Sequence, residues 1–260
     1  MVTNSASSLS LSSLIVTIAS VFLCSVIATY FYRSYGFSGF GYLLGLPTGF
    51  AILAASFVFE HLGVVYSHTE AVEDLFFWVR ITLQSEGIAF IALSYMLKNR
   101  VSPNTYGLPH ATKLLFSPHI WFYSSIKIRE IIVNVLPMII ISIPLMVTIS
   151  ALFVQPILND IELKDMSIYT TLFDIIALGY ILVKCLKPLV KTANIKLLYN
   201  PAAFALLWLE QYSLVINYFD NDPFAHFGSI IVRLAGLGLF VYAIYYALDS
   251  GRRREMEIER

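Results

Sequence analysis

The stretch Ser13–Tyr32, SLIVTIASVFLCSVIATYFY, contains no Asp, Glu, Lys or Arg. A helix rises about 1.5 Å per residue, so about 20 mainly apolar residues cross the hydrocarbon core of a bilayer. The stretch has that length and therefore predicts a transmembrane helix. No basic residues precede it, and its apolar run is longer than the roughly 7–15 residues of a cleaved signal peptide, so we expect it to be retained.

The composition of the whole chain supports a membrane location. Apolar residues make up 58% of the 260 residues and charged residues 13%, about half of the roughly 25% that soluble domains carry. The outer surface is therefore expected to face lipid. Lys and Arg balance Asp and Glu at 17 each, and zero net charge argues against nucleic-acid binding. Cys24 and Cys185 stand alone in apolar runs, which predicts buried, inert thiols.

Six further segments have the length and apolarity of membrane spans, which predicts an all-α protein with seven transmembrane helices. The seven predicted spans are Ser13–Tyr32, Tyr42–Leu62, Leu75–Leu97, Ile131–Gln155, Ile168–Lys187, Pro201–Tyr218 and Phe227–Leu248. The fifth and sixth are the weakest because each is short or polar. We expect one domain over residues 1–260, with a long interfacial loop at 98–130 and a short charged tail at 249–260.

The connections between the spans alternate in charge. Fourteen of the 17 Lys and Arg residues follow the odd-numbered spans, whereas the other connections carry only Lys164. The positive-inside rule then places the N-terminus outside and the C-terminus in the cytoplasm of a cell-membrane protein. One missed or added span would scramble this alternation, so the pattern also supports seven. Aromatic residues between lysines in the loop 98–130 indicate either an anchor in the headgroup zone or a docking surface for a cytoplasmic partner.

Predicted helices 2 and 3 resemble predicted helices 6 and 7. When Glu60 is aligned with Glu210, Gly87 and Gly236 fall within one position of each other in the returning helices. Each glycine opens an aromatic and aliphatic run, and each returning helix carries an arginine early in its span. Both pairs run in the same direction across the membrane, which predicts a parallel repeat.

Polar side chains inside membrane spans are costly and are therefore candidates for function. The candidates for binding a ligand or a proton are Glu60, Arg80, Gln84, Glu86, Asp174, Glu210 and Arg233. Counted along each helix, the charged members fall in the outer half of the bilayer, from about one turn to about 16 Å below its edge. In a helical bundle they could converge on an outward-facing polar pocket.

Four carboxylates among these candidates share two arginines. The depths match two ion pairs, Glu210 with Arg233 and Glu60 with Arg80. Asp174 and Glu86 then remain, and an unpaired carboxylate in a low dielectric tends to be protonated. These two are candidates for sensing or carrying a proton or for binding a cation. The structural alternative is that all of these polar contacts act only in helix packing.

The third predicted helix divides its polar residues between two directions. Gln84 and Gly87 share a face with Arg80, one and two helical turns further on, and we expect that face to be turned inward. Glu86 is directed about 120° away from Arg80. A separate neighbour for Glu86 would weaken a single-cluster arrangement.

Common enzyme signatures are absent from the sequence, which contains no HExxH, GxSxG, P-loop or GxGxxG. His61 and His226 lie near the outer ends of their spans, and neither has a second histidine at metal-site spacing within its helix. The seventh span has no lysine for a retinal Schiff base. We therefore expect no enzymatic activity, no metal and no cofactor.

These features predict a sensor or signalling input module, or an accessory component, that sits in the lipid bilayer and acts through a cytoplasmic or membrane protein partner. Only the short tail 249–260 follows the last span, so we expect a sensor to signal through a separate chain. The alternative is a small proton- or ion-coupled transporter that uses the intramembrane carboxylates. Pro137 and Pro144 could break the fourth helix as in transporters, but the polar residues do not continue into the cytoplasmic half.

Overall fold

The computed structural model describes residues 3–38, 44–66, 70–98, 161–192, 195–220 and 223–258. Within these ranges the regular structure is entirely helical, without strands, in agreement with the predicted all-α class. The elements are α1 Thr3–Ser38, α2 Gly45–Val65, α3 Glu70–Lys98, α4 Ile161–Thr192, a 3-10 helix Ile195–Leu198, α5 Tyr199–Asp220 and α6 Pro223–Ile258.

Four of the described helices are long and apolar enough to cross a membrane. The qualifying segments are Leu14–Tyr35 in α1, Gly45–Val65 in α2, Leu75–Leu97 in α3 and Phe227–Leu248 in α6. The last two have the same limits as the predicted spans, and the first two differ from theirs by less than one helical turn. The prediction of a membrane protein with transmembrane helices is therefore supported.

The other three predicted spans have different outcomes. The fourth, Ile131–Gln155, and the loop after Lys98 lie outside the described residues. The fifth and sixth lie within α4 and α5, which are helical but are not among the four apolar segments. Asp174 of α4 and Glu210 of α5 lie near the centres of these helices and help to lower their mean hydropathy.

The six described helices form a closed ring in which each packs mainly against two neighbours. Helices α2 and α3 form one hairpin and α5 and α6 a second. Helix α1 packs between α2 and α6, and α4 packs between α3 and α5. Each helix therefore turns one stripe towards the centre of the ring, and the residues of these central stripes determine what the ring encloses.

Both hairpins approach most closely at a glycine. A Cβ atom on Gly49 of α2 would lie 2.6 Å from the carbonyl oxygen of Gly87 on α3. A Cβ atom on Gly236 of α6 would lie 3.2 Å from the carbonyl oxygen of Ala203 on α5. Small residues allow this approach, and helices in lipid associate through such packing because lipid is as apolar as the side chains.

The centre of the ring has two chemically different halves. The aromatic half lies where α2 and α5 begin and where α3 and α6 run towards their C-terminal ends. The Phe240 ring meets the rings of Phe50 and Phe204 edge-on, with centroid distances of 5.5 and 4.7 Å, and Tyr95 meets Phe204 at 5.5 Å. Such contacts contribute about 0.5–1.5 kcal/mol each beyond burial. The polar half lies where α2 and α5 end and α3 and α6 begin.

Candidate functional site

The polar half is organised around Arg233, which comes from α6 and is only 2% exposed. Its Nη1 donates to Glu60 Oε2 of α2 at 2.6 Å, and its Nε donates to Glu210 Oε1 of α5 at 2.7 Å. The planar guanidinium presents several donors in fixed directions, so one side chain can bind two carboxylates. Arg233 therefore connects three helices drawn from both hairpins.

A second arginine, Arg80 of α3, also contacts the carboxylate of Glu60. Arg80 Nη1 lies 3.5 Å from Glu60 Oε1, and each side chain is 17% exposed. Both ion pairs expected from helix depth are therefore present, namely Glu210 with Arg233 and Glu60 with Arg80. The shorter contact of Glu60 is nevertheless with Arg233, which the sequence did not predict. We call Glu60, Arg80, Glu210 and Arg233 the charge network.

Phe57 completes the surroundings of the Arg233 side chain. The guanidinium carbon lies 4.5 Å from the centroid of the Phe57 ring, less than one turn before Glu60 on α2. A desolvated cation above an aromatic face gains about 2 kcal/mol. Removing one partner from a buried charge pair is costly because the other charge then stays buried and uncompensated. The side-chain contact between α2 and α6 across the ring therefore depends on this arginine.

Asp174 of α4 lies beside the charge network. It is 3% exposed, and its carboxylate interacts electrostatically with Glu210 and with the hydroxyl of Ser85 on α3. Neither Asp174 Oδ1 nor Ser85 Oγ makes a hydrogen bond of ordinary geometry with the described residues. Within this part of the chain, Asp174 is therefore a buried carboxylate within electrostatic range of Glu210, an acidic member of the network.

The remaining two predicted site residues lie on α3. Gln84 is 5% exposed and Gly87 is buried, so the face they share is turned inward as expected. Glu86 is half-buried, and its Oε1 makes no hydrogen bond with the described residues, although Glu86 has other interactions. Its burial distinguishes Glu86 from Asp174, with which the sequence had grouped it.

Sequence reasoning missed a set of buried hydroxyl groups on α3 and α4, two helices that pack against each other. We call this set, with Asp174, the hydroxyl seam: Thr82 and Ser85 on α3, and Ser167, Thr170, Thr171 and Asp174 on α4. Each member is at most 9% exposed. Spacings of three and four residues put the members of each helix on one face. This periodicity was a usable signal, but uncharged hydroxyls do not stand out in a search for intramembrane charges.

A groove of about 640 Å³ lies between α1 and α6, away from the charge network. It is lined by residues that include Thr29, Tyr30 and Arg33 of α1 and Leu248 of α6. These residues lie towards the C-terminal parts of their helices, at the aromatic end of the ring. The groove is therefore separate from the predicted polar pocket.

The described residues contain no group of three His, Cys, Asp or Glu side chains that could hold a metal ion. His61 is half-buried at the end of α2, and the side chain of His226 lies outside the described residues. Cys24 is buried and Cys185 half-buried, and both are free thiols. The chemistry available in the described polar half is therefore that of carboxylates, guanidiniums and hydroxyls.

Comparisons of the chain with protein-family models, with curated proteins and with solved structures found no match. The function is accordingly inferred from the geometry and chemistry of the site.

Proposed function

We propose that this protein is a non-enzymatic, seven-helix protein of the cell membrane whose outward-facing polar pocket serves a sensor or signalling input module, or an accessory component of a membrane complex. The observation that carries the proposal is the sharing of Arg233 between Glu60 of α2 and Glu210 of α5. A proton or ligand that binds one of these carboxylates weakens its contact with Arg233. Arg233 then interacts more strongly with the other carboxylate. Differential binding of that kind shifts the packing of one hairpin against the other.

The proposed topology places the N-terminus outside and the C-terminus in the cytoplasm, with Ile131–Gln155 as the remaining span. Its support is the location of 14 of the 17 Lys and Arg residues on one side. Single cysteines at Asp222 and Arg254, in a chain with Cys24 and Cys185 replaced by serine, test it. An impermeant thiol reagent on intact cells is expected to label position 222 only, and labelling of position 254 would contradict the topology.

We also propose that α2–α3 and α5–α6 are parallel repeats. The alignment of Glu60 with Glu210 places Leu53 over Ala203, two turns earlier in each hairpin. Leu53 lies against the position of Gly87, and Ala203 lies against that of Gly236. In both hairpins the glycine of the returning helix thus lies against the position seven residues before the aligned glutamate, which supports duplication of one helix pair.

An accessory role requires a partner, for which the predicted cytoplasmic loop 98–130 and tail 249–260 supply basic and aromatic surface. Purification from native membranes in a mild detergent is expected to retain a stoichiometric partner chain. A lone, monodisperse protein under conditions that preserve other membrane complexes would contradict the accessory role. The sensor role would then be tested by the spin-label distances between α2 and α6.

A small proton- or ion-coupled transporter is the second candidate, and the buried Asp174 carboxylate favours it. The aromatic half opposes it, because the buried rings of Phe50, Phe204 and Phe240 fill the ring centre beyond the charge network. Proton or ion flux in proteoliposomes, abolished by Asp174→Asn, would favour transport over sensing. Absence of flux from protein that retains its native fold would favour a binding function.

Spin labels on α2 and α6 test whether the charge network acts as a switch. Val58 and Ile231 are 40% and 57% exposed, so labels there leave the core intact. We expect Glu60→Gln to change the distance distribution between these labels, because Arg233 then loses a charged partner. Glu73→Gln, at the start of α3, is the matched control and should leave the distribution unchanged. An unchanged distribution in Glu60→Gln would mean that the network acts only in packing.

A further inference from the structure

The threonine hydroxyls of the hydroxyl seam are bonded to the backbone of their own helices. Thr82 donates its hydroxyl proton to the Trp78 carbonyl at 2.7 Å. Thr170 and Thr171 donate to the Ser167 carbonyl at 2.8 and 2.9 Å. Because these protons are held by each helix's own backbone, the threonine oxygens act towards other groups as hydrogen-bond acceptors.

Asp174 and Ser85 lie at the inner end of the seam. On α4 the hydroxyls precede Asp174, whereas the residues that follow on its face, Ala177, Leu178 and Ile181, are apolar and buried. On α3 the face beyond Ser85 continues with buried alanine and isoleucine residues. The seam is therefore polar on one side of Asp174 and closed by apolar packing on the other, as expected for a binding site and not for a conduction path.

The charge balance shows what would complete the site. The charge network sums to zero, with two carboxylates and two guanidiniums in contact. An ionised Asp174 would add one buried negative charge beside Glu210, and burying an uncompensated charge is strongly unfavourable. The groups that face Asp174 are Glu210 from α5 and Ser85 from α3. Glu210 is bonded to Arg233, and Ser85 is followed in the chain by the half-buried Glu86.

We propose that Asp174 and Ser85 form a proton-binding site that is reached along the hydroxyl seam from the outer surface. This inference rests on the proposed topology and outward-facing pocket, and it names the proton as the ligand. The proton binds to the Asp174 carboxylate and converts it to a neutral carboxylic acid. The acid can then donate to Ser85 Oγ, which satisfies the two buried atoms that have no hydrogen-bond partner among the described residues.

The same site is linked to the α4–α5 contact. Trp208 of α5 donates its indole Nε1–H to the Ile175 carbonyl at 3.1 Å, one residue after Asp174. A change in charge at Asp174 acts on Glu210 of the same helix as Trp208, and through Glu210 on Arg233. Proton binding can therefore be transmitted to the charge network without movement of the aromatic half.

Infrared difference spectroscopy of the full chain in lipid nanodiscs, between acidic and alkaline buffer, tests the proposal. We expect the carbonyl band of a protonated buried carboxyl to disappear at alkaline pH in the wild type. The band should be missing in Asp174→Asn, retained in the matched control Glu86→Gln, and displaced in frequency in Ser85→Ala, which removes its hydrogen-bond partner. A band that persists in Asp174→Asn, or that is lost in Glu86→Gln, would overturn the assignment.

Two further measurements keep the test decisive. If Asp174→Asn does not fold, an unchanged band in Ser85→Ala would by itself contradict the proposed pair. If sodium displaces the wild-type titration relative to potassium at equal ionic strength, the site takes a metal cation and the proton assignment is wrong. The band tests the site, whereas the spin-label distances test sensing. If the band is lost in Asp174→Asn but the spin-label distances do not change in Glu60→Gln, the proton site is supported and the sensor role is rejected.

Discussion

The polar and aromatic halves of the ring are held together by different kinds of contact. In the polar half, Arg233 binds named atoms of Glu60 and Glu210, and the loss of that one side chain removes the hydrogen-bonded cation of Glu210 and leaves Glu60 with the longer Arg80 contact. In the aromatic half, Phe240 meets two rings by contacts that other apolar groups could partly replace. The stability of the polar half therefore depends on a specific residue, whereas that of the aromatic half depends on filled volume.

Replacement of Arg233 by methionine should cause the largest loss of stability among the substitutions that test this difference. Breaking a buried ion pair by removing one partner costs about 3–5 kcal/mol, and here two carboxylates lose the same cation. The free energy of unfolding, measured by titration with SDS in mixed micelles, should fall by that amount. A loss below about 1 kcal/mol, the value typical of surface ion pairs, would mean that the network does not hold the polar half.

Replacement of Phe240 by alanine should have the next largest effect. Phe→Ala substitutions in protein cores cost about 3–5 kcal/mol, and we expect the lower end because lipid is itself apolar. The Phe240 side chain is 2% exposed and contacts rings from α2 and α5. The same unfolding titration measures the loss. Phe240→Leu should recover more than half of it, and no recovery would show that ring geometry, and not volume, matters here.

Replacement of Gly49 by alanine tests the close approach of α2 to α3. The added Cβ would lie 2.6 Å from the Gly87 carbonyl oxygen, a backbone atom that cannot rotate away. Overpacking of this kind costs about 1–3 kcal/mol. Gly238→Ala is the matched control, since nothing lies within 4 Å of its added Cβ. Equal stability of the two variants would show that the crossing tolerates wider helix separation.

Replacement of Arg80 by glutamine should have the smallest effect. Its contact with Glu60 is 3.5 Å long, and both side chains are partly exposed. Solvent-exposed ion pairs contribute about 0–1 kcal/mol. This pair is only 17% exposed, but Glu60 keeps its shorter contact with Arg233 when Arg80 is replaced, so the unfolding free energy should fall by about 1 kcal/mol. A loss as large as that of Arg233→Met would mean that Arg80, and not Arg233, is the main partner of Glu60.

The helices were largely predictable because apolar runs of bilayer length are local properties of a sequence. The limits of the spans Leu75–Leu97 and Phe227–Leu248 agree with the structure. The end of α6 differs, because the helix continues to Ile258 through most of the predicted charged tail. Arginines followed at helical spacing by glutamates favour continuation of a helix, so the loss of apolarity did not mark the helix end.

The candidate site was only partly predictable. Depth along each helix correctly placed Glu210 with Arg233 and Glu60 with Arg80, because depth depends only on residue count and rise. The contact between Glu60 and Arg233 could not be derived in this way, since it joins residues that are far apart in the chain and belong to different hairpins. The seam between α3 and α4 also depends on which helices become neighbours in the ring.

The sequence alone predicted that the described chain is helical, that it contains apolar helices of membrane-spanning length, and which rare charges lie within the predicted spans. These properties follow from composition and periodicity, which act over one helix at a time. The sharing of Arg233 between two carboxylates, and the placement of Asp174 near Ser85 and within electrostatic range of Glu210, depend on the tertiary structure. The order of helices in the ring determines those contacts, because it sets which inward faces meet.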